Sequence, residues 1–190
     1  MSQKTTIETF GLFLGLAAIV AVMPFVWSIS PRGESRSRAG LEVGATLPTI
    51  NGVGWINGSA PKADELKGKV VVVNAWADFC PKCHQGMPAL VETYHRFHGS
   101  DVVFIGMTND DEGKLDDINS YIRKYKVEWP NVYGAEKSLI AFKAEYIPGY
   151  WVIGRDGKVV WNKDNESERS MESAIKEALQ ATVAPESVGS

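Results

Sequence analysis

Apolar residues along the chain fall into three rhythms. The first is unbroken. From Phe10 to Ile29, FGLFLGLAAIVAVMPFVWSI, no charged residue interrupts 20 positions. As a helix this run extends roughly 30 Å, the thickness of a bilayer core, so it predicts one N-terminal transmembrane helix. Trp27 stands where an interfacial aromatic is favourable, and Pro24 is a kink that a membrane helix tolerates. The run exceeds the apolar core of a cleaved signal peptide, and the small residues Ser28 and Ser30 that would mark a cut are followed by Pro31. Residues 1–29 therefore read as an uncleaved anchor. Residues 30–40, rich in Ser, Arg and Gly, read as a linker.

The second rhythm is the short continuous apolar run of a strand buried on both faces. KVVVVNAW (69–76) and DVVFIGMT (101–108) show it. GYWVIGRDGKVVWN (149–162) reads as a hairpin turning at Asp156-Gly157, and WPNVYG as a short strand. GVGWINGS around Trp55 reads as a further hairpin, with Asn57-Gly58 as its turn.

The third rhythm is helical. Met87, Leu90, Val91, Tyr94 and Phe97 predict a helix over 80–98, bent at Pro88. Leu115, Ile118, Ile122 and Tyr125 predict a second, with Asp110, Asp111 and Glu112 at its positive end. A short helix is expected over 139–146, and a closing one over 167–180 through Met171, Ile175 and Leu179. The order β-α-β-α-β-α-β-β-α gives an α/β domain over 41–180, a central mixed sheet flanked by helices. In this reading antiparallel strands come only from the terminal hairpin. Residues 181–190 form a frayed tail.

Composition narrows the function. At 190 residues, 44% hydrophobic and 23% charged, the chain holds one cored domain plus attachments. A net charge of −3 leaves no basic stripe for nucleic acid. Two cysteines, Cys80 and Cys83, are too few for a disulfide scaffold.

Their setting points to redox chemistry. A strand running into C-x-x-C at a helix start puts Cys80 among unpaired N–H groups and the positive end of the helix dipole, which favours its thiolate. Lys82 adds positive charge, and Pro81 suits the first helical position. Cys83, one turn on, is placed to resolve a mixed disulfide. A zinc site would need two further ligands. The nearest distant histidine, His95, lies about 18 Å along an ideal helix from Cys83. An inert disulfide across one helical turn would gain little loop-closure entropy. The sulfur atoms carry the electrons themselves, so no metal, nucleotide or organic cofactor is expected.

VVVNAWADFCPKC, the helix with Met87-Pro88, and YIPGYWVIGRDGKVV together resemble the thioredoxin superfamily. With the N-terminal apolar segment, the resemblance is to its membrane-anchored TlpA/ResA-type thiol-disulfide oxidoreductases. It implies a thioredoxin-like fold and a cis bond before Pro148, which faces the cysteines. It also implies a substrate-pairing backbone at Ile147 and an apolar docking surface at Phe79. It further implies protein thiol or disulfide substrates, a membrane thiol-disulfide electron donor, and reduction of apocytochrome c thiols as a typical task. Two carboxylates of relatives are missing. Asn74 stands where thioredoxin has a buried Asp, and Gly86 where some ResA-type relatives have a Glu. Asp78 is the nearest substitute, although a solvated loop acid is the plainer reading. His84 likewise reads as a solvated helix residue, and Trp76 as core packing. Two other roles stay open: a disulfide-forming oxidase, and a non-catalytic adaptor or metal-relay module.

The flanking charges and the chemistry disagree about location. Arg32, Arg36 and Arg38 after the apolar segment, against Lys4 before it, place the domain in the cytoplasm by the positive-inside rule. A tethered reductase is most useful on the oxidising outer side, and the periplasmic or extracytoplasmic face is the expectation.

Overall fold

Four consecutive valines with no exposed face need a sheet on both flanks and helices above and below. In the computed structural model they have both. The structure describes residues 40–99, 101–164 and 169–181, all within the unit Arg38–Ser190. The expected membrane segment 10–29 lies outside the described residues, as do the linker up to residue 39 and the tail after Ala181. Among the described residues no helix is long and apolar enough to cross a membrane.

In chain order the elements are β1 (Gly54–Ile56), α1 (Ala63–Leu66), β2 (Val70–Ala75), α2 (Pro81–Phe97), β3 (Val102–Met107), a 3₁₀ turn (Glu112–Lys114), α3 (Leu115–Tyr125), β4 (Asn131–Tyr133), α4 (Glu136–Ala141), β5 (Gly149–Ile153), β6 (Val159–Asn162) and α5 (Met171–Gln180). The six strands form one sheet ordered β1-β4-β3-β2-β5-β6. β2 lies at its centre, parallel to β3 and antiparallel to β5, and all six of its residues are buried. Alternate residues feed opposite faces. Val70, Val72 and Phe104 pack with Met87 and Leu90 of α2, Ile118 of α3 and Ile175 of α5. Val71, Val73 and Ile105 pack with Phe142, Trp151 and Ile153 on the other face. At about 1.5–3 kcal/mol for each buried aliphatic side chain, these two layers are the main drive to fold.

Four expectations need correction. Antiparallel pairing is not confined to the terminal hairpin, because β1 runs antiparallel to β4, Trp55 opposite Val132. The segment around Trp55 is thus no local hairpin but the cover of an otherwise open sheet edge. Asn57 and Gly58 do take positive φ, 56° and 140°. The Asn57 Nδ2 group then donates to the carbonyls of Val127 and Trp129 at 2.6 and 3.1 Å, tying the strand's end to the approach to β4. The helix expected over 139–146 lies earlier, at Glu136–Ala141, because Lys143 turns left-handed (φ 50°) and stops it. The last helix begins at Met171, where the Ser170 Oγ accepts from the Ser173 N–H as its cap. The single turn α1 was not foreseen.

Candidate active site

β2 ends at Ala75, and Trp76 to Phe79 carry the chain over the sheet's edge into α2. Trp76 is core packing, as its aromatic bulk suggests. It is buried, stacks on Tyr121 with centroids 4.2 Å apart, and donates from Nε1 to Asn131 Oδ1 at 3.0 Å. Cys80 is the N-cap of α2, with Pro81 at the first helical position. The Cys83 N–H points back at Cys80, 3.0 Å from its carbonyl oxygen and 3.2 Å from its Sγ. The two sulfurs form a disulfide. The arrangement puts a sulfur against the N–H end of the helix, which is where a thiolate is stabilised.

The two cysteines are unequal. Cys83 is sealed in the core, whereas Cys80 keeps a small opening, at 1% and 6% exposure. The Cys80 Sγ lies 3.8 Å from the carbonyl oxygen of Ile147, and the Ile147–Pro148 bond is cis. The turn before β5 is therefore brought against the redox loop from 67 residues away. Pro81 and Lys82 are exposed on the first turn of α2. Phe79 is 73% exposed, and so is Tyr146, at 70%. One aromatic directly precedes Cys80 in the chain, and the other directly precedes Ile147, whose carbonyl oxygen faces the Cys80 sulfur. Tyr146 was not singled out from sequence, since an aromatic at the end of a short helical pattern reads as core.

Behind the disulfide, neither of the two positions that hold acids in relatives offers one. Asn74 is buried, and its Oδ1 accepts from the Trp129 indole N–H at 3.3 Å. A Cβ on Gly86 would lie 2.8 Å from the Tyr150 hydroxyl, so this tyrosine fills the space a side chain at 86 would take. Burial pushes the Tyr150 hydroxyl up to about 12 and raises that of Tyr121 further still. Both are protonated at neutral pH.

Asp78 and His84 depart from expectation. Asp78 is not a solvated loop acid: its side chain is 16% exposed, its Oδ1 is buried without a hydrogen-bond partner, and its Oδ2 lies 3.7 Å from Lys114 Nζ. Its N–H donates to Asp110 Oδ2 at 3.3 Å. His84 is half-buried rather than solvated. Its Nε2 lies 2.6 Å from the Asp78 carbonyl oxygen and its Nδ1 2.8 Å from the Tyr125 hydroxyl. A carbonyl can only accept, so Nε2 donates to Asp78, while Nδ1 pairs with the Tyr125 hydroxyl. Both departures have one cause, the packing of α3 and the loop before it against the start of α2. Among the described residues no three His, Cys, Asp or Glu side chains converge as a metal would need.

Comparison with known proteins matches this geometry. A family model described as Redoxin fits residues 42–179. The thiol-disulfide oxidoreductase ResA of Bacillus subtilis is 28% identical over 105 residues, 55% of this chain and 58% of the relative. The protein DipZ of Mycobacterium bovis is 26% identical over 158 residues, 76% of this chain but only 22% of DipZ. The chain thus spans less than two thirds of either relative. Among solved structures, a thioredoxin-like superfamily protein aligns with TM-score 0.63 at 19% identity, over 73% of this chain and 99% of the other. The thioredoxin domain of a thiol-disulfide oxidoreductase from Bacteroides vulgatus aligns with TM-score 0.59 at 22% identity, over 73% and 96%. At these identities the structures speak for the thioredoxin-like fold.

Proposed function

The chain belongs to the Redoxin family, as a thioredoxin-fold thiol-disulfide oxidoreductase of the ResA/TlpA type, and from that premise we propose that it reduces disulfides of proteins outside the cytoplasm. The observation that carries the reading is the asymmetry of the pair: Cys80 at the helix N-cap facing the Ile147 turn, Cys83 sealed beneath it. Cys80 as thiolate attacks the substrate disulfide and forms a mixed disulfide. Cys83 then attacks Cys80 and releases the substrate as two thiols. Lys82 and Pro81 support the thiolate, while Phe79, Ile147 and Pro148 receive the substrate strand. No cofactor takes part in this cycle, since the dithiol holds both electrons.

The apolar run 10–29 supports a single membrane helix holding the domain at the surface, with a membrane thiol-disulfide carrier as electron donor. The short connection through α4 between β4 and β5, with no long helical insertion, favours a reductase over a disulfide-forming oxidase. Substrates of the kind implied are protein thiol pairs that must stay reduced, as in apocytochrome c before haem attachment.

The test is the reduction potential of the Cys80–Cys83 couple, measured on the full-length chain in glutathione or dithiothreitol buffers. A value of about −270 mV or below supports the reductase. A value near about −120 mV overturns it in favour of an oxidase. Protease added to intact cells checks the side. Cleavage of the domain supports the outer face, and protection puts it in the cytoplasm, where the arginines after the apolar run would place it.

A further inference from the structure

The two faces of the sheet are covered unequally. On the face of Val70, Val72 and the two cysteines pack α2, α3 and α5, of 17, 11 and 10 residues. The face of Val71, Val73 and Ile105 receives α4 of six residues, α1 of four and the segment 41–50. This short cover leaves a gap. A cavity of about 620 Å³ lies between residues 46–50, α1 and the turn of the β5–β6 hairpin, within the roughly 300–1,000 Å³ of sites that hold a small molecule. Leu47, Ile50, Trp55 and Leu66, all only partly buried, form its wall, and it reaches down to the fully buried Ile105. The Leu47 N–H donates to the Gly157 carbonyl at 2.8 Å and fixes one side of the opening to the hairpin turn.

Three charged residues line the cavity, Lys67, Arg155 and Asp156, so cations are in excess. Asp156 is turned to its own hairpin, where its Oδ1 accepts from the Lys158 N–H at 3.1 Å. Arg155 is anchored on one side only. Its Nη1 donates to the Gly68 carbonyl at 3.1 Å, which holds the guanidinium at the wall. Its Nη2 lies 3.5 Å from Asp101 Oδ2, and its Nε is buried with no hydrogen-bond partner among the described residues. The Asp101 side chain is 61% exposed, and an ion pair of that length in water holds weakly. The Nε–Nη2 edge, which can take a carboxylate side-on through two parallel bonds, is thus the underused edge of this arginine.

We propose that this cavity is a second binding site, for a carboxylate that carries an acyl chain. The chain lies against Leu47, Ile50, Trp55 and Leu66, and covers apolar surface that the short helices leave open. The carboxylate takes the place of Asp101 on Arg155, while the Gly68 carbonyl keeps the guanidinium where it is. Asp101 returns to water at little cost, since most of its side chain is already there. Lys67, at the end of α1, adds a further positive charge at the wall. A sugar or nucleotide would leave hydroxyls unpaired against so aliphatic a wall. The site stands on the opposite face of the sheet from the cysteines and is independent of the reading of the dithiol.

The test is photolabelling of the full-length chain in phospholipid nanodiscs by dodecanoate bearing a terminal diazirine, with the labelled peptides mapped by mass spectrometry. Label is expected on peptides that contain residues 46–50, Trp55 or Leu66, and excess dodecanoate should compete it away. Dodecanol, which lacks the charge, should compete about tenfold less well. Octanoate, four methylenes shorter, should also lose at least about tenfold. Arg155→Gln should weaken labelling by dodecanoate about tenfold, and Arg155→Lys should keep most of it. Label spread along the chain without competition, or centred on the peptide of Cys80, overturns the proposal. Dodecanol competing as well as dodecanoate in the wild-type protein overturns it without recourse to any variant, as does a folded Arg155→Gln protein labelled like wild type. Cross-links joining two chains through residues 46–66, unmoved by dodecanoate, overturn it in favour of self-association.

Discussion

In the proposed cycle Cys80 is the attacking sulfur, for reasons that lie within four residues of it. The chain leaves a central strand, turns through Ala77 to Phe79, and enters α2 with Pro81 fixing the first helical φ. What it meets there is decided elsewhere. Phe79 and Tyr146 stand exposed on the two segments that flank the sulfur, one reaching it through the loop and the other through the Ile147 turn. In the proposed function these two exposed aromatics receive the partner protein. The double change Phe79→Ala with Tyr146→Ala is expected to raise KM for a protein disulfide about tenfold, or ~1.4 kcal/mol. The effect on a small disulfide such as oxidised glutathione should be much weaker. Steady-state kinetics on the two substrates check this, and equal losses on both would remove the aromatics from substrate binding.

At the scale of elements, the end of β2 and the start of β4 are tied together by side-chain amides as well as apolar burial. Asn131, on β4, accepts from the Trp76 indole and donates from Nδ2 to the Trp129 carbonyl at 2.7 Å. Gly106 of β3 lies directly under this contact. A methyl group there would collide with the Asn131 Oδ1 and crowd the Trp76 Nε1 at 3.2 Å. Gly106→Ala is therefore expected to cost about 3 kcal/mol, combining overpacking with a broken buried hydrogen bond. Denaturant unfolding measures it. The same change should alter the environment of Trp76 beside the redox loop, visible in indole fluorescence. A loss below about 1 kcal/mol would mean that the sheet centre yields more readily than its packing suggests.

Over the whole molecule, stability should depend on alkaline pH through two tyrosines. Burial raises Tyr150 to about 12 and Tyr121 higher, against an ordinary value of about 10. Below about pH 10 both hydroxyls are protonated in the folded and unfolded chain, so the stabilising difference is fully present. Above it the unfolded chain releases protons that the folded chain keeps. Stability should then fall by up to about 1.4 kcal/mol per pH unit for each tyrosine, until the folded hydroxyls ionise as well. Thermal or urea unfolding between about pH 9 and 12 checks this. Tyr150→Phe should reduce the slope, and an unchanged slope would place the hydroxyl in a wetter setting than its burial implies.

What the sequence determined by itself was whatever depends on neighbours along the chain. Four β-branched residues followed by C-P-K-C specify a buried strand, an N-cap and a helix bearing a dithiol. Asp156-Gly157 between two apolar runs specifies a hairpin. The fold class and the two cysteines were legible on these local terms. The tertiary structure decided what depends on contacts between distant residues. β1 joins β4 because an open edge seeks a strand, and periodicity around Trp55 carries no information about its partner. Asp78 reads as a loop acid until Lys114 and α3 close over it, and His84 reads as solvated until Tyr125, 41 residues on, reaches its ring. Tyr150 fills the space above Gly86 because antiparallel pairing sets it opposite Asn74. Pattern along a chain reports which face of an element is apolar. Only packing reports which polar group ends up against which, because that follows from how the elements close on one another in space.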